Sequence, residues 1–215
     1  EQLITIEVQA EELKGCEIQT NTIREYVSDL TLAHVLGYTA KISADELKQF
    51  SGYAVTDQIG KTGIEKSYEA ELRGSPGKKL LEKDALGRIV REGGEIASEP
   101  GNSVVLWLDL ELQQNLEKAL EDTLNRIGAK KAVGIALDPK TGGVLSMVSI
   151  PGFDNNLFSR GISKAQYEEI VSDPLHPFFN RAVSGTYPMG STIKPLIASA
   201  ALEEHIIDPD KELLT

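Results

Sequence analysis

The chain has 215 residues, of which 40% are hydrophobic, and a net charge of −11. That is enough for one large or two small domains with a real core, and the negative balance argues against a nucleic-acid surface, which needs basic patches. One cysteine, Cys16, rules out an internal disulfide, one Cys with three His argues against a zinc site, and no apolar run approaches the roughly 18–20 residues of a membrane span.

Residues 1–100 read as polar and irregular. Ser43-Ala-Asp-Glu46 is a capping box that opens a short helix towards Phe50. Gly60-Lys-Thr-Gly63 leads into Ile64, Tyr68 and Leu72, an i, i+4, i+8 stripe that predicts one helix, stopped by Gly74 and Pro76. Leu80 to Arg91 alternates around Asp84 and Gly87 and reads as a strand pair with a turn. Gly93-Gly94 and Glu99-Pro100-Gly101-Asn102 read as punctuation, so a domain boundary is placed there, giving domains 1–100 and 101–215.

The second half has a different texture. Val104 to Leu108 is an expected strand, and Asp109 a good N-cap. Leu112, Leu116, Leu120 and Leu124 follow at helical spacing, and Gly128 ends that helix. Ala132–Leu137 and Val144–Ile150 are apolar strands joined by the turn cluster 138–143, an expected antiparallel hairpin. Ser163-Lys-Ala-Gln166 is a second capping box, opening a helix towards Val171. After a proline-rich loop a last helix is expected from Ser191 to about Glu204, with Pro195 in its first turn. Strand, helix, hairpin and helix in this order predict an α+β domain with a mainly antiparallel sheet. Trp107 is expected in the core or at a domain contact.

The chemistry concentrates at Ser191-Thr-Ile-Lys194. Residues three apart share a helix face, so the Lys194 amine is placed to reach the Ser191 hydroxyl. Lysine serves as a base when its surroundings lower its pKa. Gly190 lets the backbone approach closely, and a helix start aims N–H groups and the positive dipole end at a developing oxyanion. The plain alternative is that Ser191 is an N-cap. Lys61-Thr62-Gly63 and Lys140-Thr141-Gly142 both read as turns, and no Ser-x-Asn occurs in the chain. Gly60-Lys61-Thr62 lacks the glycine that a phosphate loop needs, with Val55 in its place. His34, His176 and His205 are scattered and read as surface or packing residues, with His205, on the last helix, left open as a base.

Taken together, five segments resemble the penicillin-binding proteins. Tyr187 to Pro195 resembles their nucleophile motif. Asp57 to Glu65, with Tyr68-Glu69 and Leu72-Arg73-Gly74, resembles the pedestal of class B members. Asp138 to Leu145 with Pro151-Gly-Phe-Asp154 resembles the hairpin that opens the transpeptidase domain. Asn156-Leu-Phe158, Gly161-Ile-Ser163 and Asn180-Arg181-Ala182 look like the elongation type, penicillin-binding protein 2, more than the septal type. The resemblance covers most of residues 30–215.

It implies an irregular pedestal of the dimerisation type, followed by the N-terminal part of a transpeptidase domain of the penicillin-binding/β-lactamase fold. It implies a D,D-transpeptidase that cross-links peptidoglycan stem peptides outside the cytoplasmic membrane, on an N-terminal anchor, without metal or organic cofactor. Ser191 would be the nucleophile, its backbone N–H half of the oxyanion hole, and Lys194 the general base and proton shuttle. β-Lactams would acylate the same serine. A glycan polymerase and shape-determining proteins would bind through the pedestal. A non-catalytic penicillin-binding scaffold is the alternative from another class. The family's second and third motifs lie beyond Thr215, so this piece is expected to be inactive alone, with exposed apolar surface where further strands would pack. Met189 stands where the family often has proline.

Overall fold

The structure, a computed structural model, describes residues 22–26, 30–85, 89–208 and 210. Cys16 and the Gly87 turn lie outside the described residues.

A 3₁₀ turn at Leu30–Leu32 runs into helix α1 (Ala33–Leu36). Strands β1 (Thr39–Lys41) and β2 (Gln58–Gly60) pair antiparallel, with Ala40 opposite Ile59. Helix α2 (Ala44–Gln49) lies between them, and both bonds of its Ser43/Glu46 capping box are made. The stripe Ile64, Tyr68, Leu72 forms two helices, α3 (Gly63–Ser67) and α4 (Glu69–Leu72), broken at Tyr68. The break turns Glu69 back towards β2. There its carboxylate accepts from the Gly60 N–H (2.7 Å) and the Tyr53 hydroxyl (2.8 Å), bonds that a continuous helix would not aim. Gly60 is required by close approach, since a Cβ there would lie 2.1 Å from the Glu65 carbonyl oxygen.

Strands β3 (Lys78–Lys83) and β4 (Ile89–Ile96) form the expected pair. Gly93-Gly94, read as punctuation, lies inside β4. Leu81 faces Glu92 and Lys79 faces Glu95, so two glycines oppose the single residue Leu80, which is a β-bulge. Residues 99–102 do not swing free either: Ser75 and Glu99 form a bridge, and the Asn102 N–H donates to the Glu71 carbonyl at 2.7 Å.

Val104 to Leu108 forms no strand. Val105 is 92% and Trp107 66% exposed, the indole lying against Gly143. The reason lies at the strand edge it would join. Helix α5 (Leu110–Ile127), capped by Asp109 and ended at Gly128 in the left-handed region, crosses the hairpin of β5 (Ala132–Leu137) and β6 (Val144–Ile150). The Gln113 side chain occupies the free edge of β6, accepting from the Met147 N–H (2.7 Å) and donating to its carbonyl (2.9 Å). Gln113 also takes the Ser146 hydroxyl (2.9 Å) and donates to the Thr31 carbonyl (2.7 Å), so this fully buried amide is satisfied on all sides. It, not Leu112, opens the buried stripe of α5, since Leu112 is 37% exposed.

Helices α6 (Asn156–Ser159), α7 (Lys164–Ser172) and α8 (Arg181–Ser184) follow, α7 with both bonds of the Ser163/Gln166 capping box. The core lies between the two halves of the chain. Ala33, Phe153 and Phe158 are buried together, with Tyr38, Leu157 and Phe178 against them. Their rings meet mostly edge-on, Phe153 with Phe178 at 5.0 Å and Phe153 with Phe158 at 5.9 Å. Amides complete this seam. Asn156 pairs with both backbone groups of Tyr26 (2.9 and 3.1 Å), Asn155 donates to the Gly37 carbonyl at the end of α1, and Gln58 donates to the Ser159 carbonyl at the end of α6 (2.9 Å). The last helix, α9 (Lys194–Glu203), is preceded by a 3₁₀ turn at Gly190–Ile193.

Candidate active site

The order of residues dictates the turn at Ser191. In an α-helix its carbonyl would accept from residue 195, but Pro195 has no N–H. The carbonyl accepts instead from Lys194, three residues on, and the first turn is 3₁₀. In a 3₁₀ turn residues i and i+3 eclipse, so Ser191 and Lys194 lie on one line along the helix axis. The last helix therefore begins as a 3₁₀ turn rather than as the α-helix expected from Ser191. Gly190 enters it at φ +57°, and Thr192 secures it, its hydroxyl donating to the Met189 carbonyl at 2.5 Å.

Ser191 and Lys194 are both exposed, at the open N-terminus of α9. The backbone N–H groups at a helix start lack intrahelical acceptors and, with the positive dipole end, suit an anionic oxygen. Among the described residues the Ser191 hydroxyl and the Lys194 side-chain nitrogen have no hydrogen-bond or ion-pair partner. Leu196 (67%) and Ile197 (57%), in the first turn of α9, and Ile206 (75%), beyond its far end, are also exposed apolar residues. No group of three His, Cys, Asp or Glu among the described residues stands where it could hold a metal ion.

The segment that carries Ser191 is tied to the rest of the fold at Arg181. Asn180 caps α8 by accepting from the Ala182 N–H (3.0 Å) and donates to the His34 carbonyl (3.4 Å). The Arg181 N–H donates to the Ser149 hydroxyl of β6 (3.1 Å), and the Tyr187 hydroxyl donates to the Arg181 carbonyl (3.3 Å).

The other candidates lie apart from this site. Lys61-Thr62-Gly63 joins β2 to α3. Lys140-Thr141-Gly142 is a turn folded around Asp138, whose carboxylate accepts from the Lys140 N–H (2.9 Å) and the Thr141 hydroxyl (2.7 Å) and is held below its usual pKa by those bonds. His34 sits edge-on to Phe153 at 5.3 Å, half-buried, and burial lowers its pKa. His205 follows the end of α9 with φ +54°.

The pedestal-like motif forms a network of its own. Arg73 stacks on Tyr53 at 3.4 Å and donates to Asp57 at 3.0 Å, and Lys61 pairs with Glu46 at 2.5 Å. Arg24 grips the buried Glu65 with two bonds, of 2.8 and 3.2 Å. Glu69 holds the Tyr53 hydroxyl, and burial and that carboxylate raise the tyrosine to about 12. Of two residues that matter here, Gln113 was not singled out by sequence reasoning, and Arg181 entered only within the Asn180-Arg181-Ala182 resemblance, with no structural role. For Gln113 a signal existed, because it shares a helix face with Leu116, Leu120 and Leu124.

The chain is similar to known proteins over most of its length. The model of the Penicillin-binding Protein dimerisation domain matches residues 1–106, and that of the Penicillin binding protein transpeptidase domain matches residues 132–215. Among curated relatives, the peptidoglycan D,D-transpeptidase MrdA of Escherichia coli K12 is 39% identical over 199 residues, 90% of this chain and 30% of that protein. The enzyme of the same name from Acinetobacter baumannii is 41% identical over 196 residues, 90% of this chain and 28% of that protein. The chain thus spans about a third or less of the relatives it matches. Pseudomonas aeruginosa PBP2, solved in complex with WCK 5153, superimposes with a TM-score of 0.70 at 37% identity, covering 89% of this chain and 38% of that one. Helicobacter pylori PBP2, solved in complex with MreC, gives a TM-score of 0.73 at 27% identity, covering 97% and 38%. The chain belongs to the penicillin-binding protein family, in which its dimerisation domain is followed by the start of a transpeptidase domain.

Proposed function

We propose that the protein of which this chain is a part is a peptidoglycan D,D-transpeptidase of the elongation type, with Ser191 as nucleophile and Lys194 as general base. The observation that carries this is the alignment of Ser191 and Lys194 at an open helix N-terminus. It is supported by the relatives named peptidoglycan D,D-transpeptidase at 39–41% identity. Lys194 takes the Ser191 proton as Oγ bonds to the carbonyl carbon of the penultimate D-Ala of a stem peptide. The Ser191 N–H faces the resulting oxyanion. The C–N bond breaks, Lys194 returns the proton to the departing D-Ala amine, and a serine ester remains. An amine of a neighbouring stem then attacks that ester, and Ser191 regains its proton. β-Lactams acylate the same oxygen.

The work divides at about residue 100, with 1–100 a pedestal and 101–215 the opening part of the catalytic domain. The pedestal binds a glycan polymerase and shape-determining proteins. This reading is supported by the H. pylori PBP2 complex with MreC and by a structure described as a peptidoglycan synthase complex (38% identity, TM-score 0.66, covering 83% of this chain and 33% of that one). The protein acts on the outer face of the cytoplasmic membrane, held by an N-terminal helix. Among the described residues no helix is long and apolar enough to cross a membrane.

The test is covalent labelling of the parent protein by a fluorescent penicillin. Ser191→Ala is expected to abolish labelling and Lys194→Ala to slow it by at least about 100-fold, the scale of general-base catalysis. The 215-residue chain, which has no Ser-x-Asn, is expected to label far more slowly than the parent. A Ser191→Ala parent that still labels, or still supports cell shape on complementation, refutes the assignment, the second outcome favouring a scaffold.

A further inference from the structure

Arg181 is buried, 6% exposed, and among the described residues it has no carboxylate partner. A buried guanidinium is costly unless its donors are satisfied, and here main-chain carbonyls satisfy it. It donates to Phe179 at 3.1 Å, to His176 at 3.4 Å and to Leu175. The hydrogen bonds thus fix the whole turn 175–179 on one side chain. The main chain of Arg181 faces two other ways. Its N–H is held by Ser149, itself buried on β6, and its carbonyl receives the Tyr187 hydroxyl. Gly185 closes this contact, since a Cβ there would lie 2.5 Å from the Tyr187 hydroxyl oxygen and 2.6 Å from the Arg181 carbonyl oxygen.

Beyond Arg181 no described residue is buried. Among the described residues, the hydrogen bonds that tie the following segment to what precedes it run to Asn180 and Arg181: the Ala182 and Ser184 N–H groups donate to Asn180, and the Tyr187 hydroxyl donates to the Arg181 carbonyl. We infer that Arg181 is a positioning residue. Its fork and its two main-chain bonds set where the chain passes from α8 into the Tyr187–Ser191 segment, and so where the nucleophile sits. This rests on the reading of Ser191 as the nucleophile. An acyl transfer is sensitive to such placement, because a misplacement of about 1 Å costs on the order of 100-fold in rate.

The experiment measures acylation of the full-length parent by a chromogenic β-lactam, separating the binding constant from the limiting acylation rate. Thermal unfolding is measured on the same samples. Arg181→Lys keeps the charge and loses the fork. Tyr187→Phe removes only the hydroxyl that meets the Arg181 carbonyl. The expected result is an acylation rate lowered by about tenfold or more in Arg181→Lys and about threefold in Tyr187→Phe. The binding constant stays within twofold, and the Tyr187→Phe melting temperature is unchanged. If both variants acylate at the parental rate per folded molecule while only the melting temperature of Arg181→Lys falls, Arg181 is merely structural and the inference is overturned. If Arg181→Lys does not fold, Tyr187→Phe decides alone. Ser191→Ala run alongside separates the two claims. Labelling of that variant sinks the nucleophile assignment, whereas its silence, with parental acylation in both other variants, sinks only the positioning role.

Discussion

Replacing Gln113 by Leu removes an amide that serves four groups: the buried Thr31 carbonyl and Ser146 hydroxyl, and the half-buried Met147 N–H and carbonyl. A buried polar group left without a partner costs about 1–3 kcal/mol. Partial re-pairing, as between Ser146 and a neighbouring carbonyl, brings the sum to about 3–5 kcal/mol, set against a total stability of about 5–15 kcal/mol. With a slope of about 2 kcal/mol per molar urea, the midpoint should fall by roughly 1.5–2.5 M with the slope unchanged. Ser146→Ala is the comparison, because it removes one donor and leaves the rest, at a cost of about 1 kcal/mol. Urea titration followed by circular dichroism reads both. A Gln113→Leu loss below about 1 kcal/mol, or no larger than that of Ser146→Ala, would refute the account of Gln113 as the tie between α5, β6 and the Leu30–Leu32 turn.

The Glu46 carboxyl is pulled down to about 2 by the Lys61 ammonium and the Ser43 N–H. Because its folded value lies below the unfolded one, its stabilisation is complete above about pH 4.5 and is lost as pH falls towards 2. Glu46→Gln should therefore cost about 1 kcal/mol at pH 6 and converge with the parent in acid, read by melting temperature. Burial lowers the pKa of His34, so proton uptake by the unfolded chain wins below pH 6.5. Stability should decline from pH 6.5 downwards and His34→Gln should flatten that slope, measured by urea midpoints at pH 5 to 8. The buried Thr31 hydroxyl has no partner among the described residues, so Thr31→Val should raise stability by about 0.5–1 kcal/mol, checked by the same titration. Gly60→Ala forces a methyl to within 2.1 Å of a carbonyl oxygen on packed backbone, and a loss of more than about 2 kcal/mol in thermal unfolding is expected.

Local rules found most elements. Both capping boxes, the Asp109 cap, the Gly128 stop and the β5–β6 hairpin stand where residue chemistry places them, because each depends on groups within a few residues. The failures all involve partners far along the chain. Residues 104–108 have strand composition, yet the β6 edge is taken by a side chain 34 residues from Met147 in sequence. The helix predicted through Tyr68 breaks because Glu69 is drawn to Gly60 and Tyr53. Gly93-Gly94 reads as punctuation, and its place inside β4 is seen only when Leu80 is set opposite it. The short helices at Ala33, Asn156 and Arg181 carry too few residues for a periodic signal and are held by tertiary contacts. At the candidate site, the motif from Gly190 to Pro195 was legible as chemistry. The buried node at Arg181 was not, since nothing local says that an arginine will bind carbonyls rather than water.

Pro195 has a consequence for the geometry of proton transfer. Three residues of α-helix advance by about 300° and three of 3₁₀ helix by about 360°. The missing N–H at residue 195 thus swings the serine about 60° in azimuth, from beside the lysine's meridian to directly on it. A proline is usually weighed for what it removes from a helix. Here the removed donor sets the bearing between two reacting groups, and it does so through the main chain, beyond the reach of side-chain rotamers.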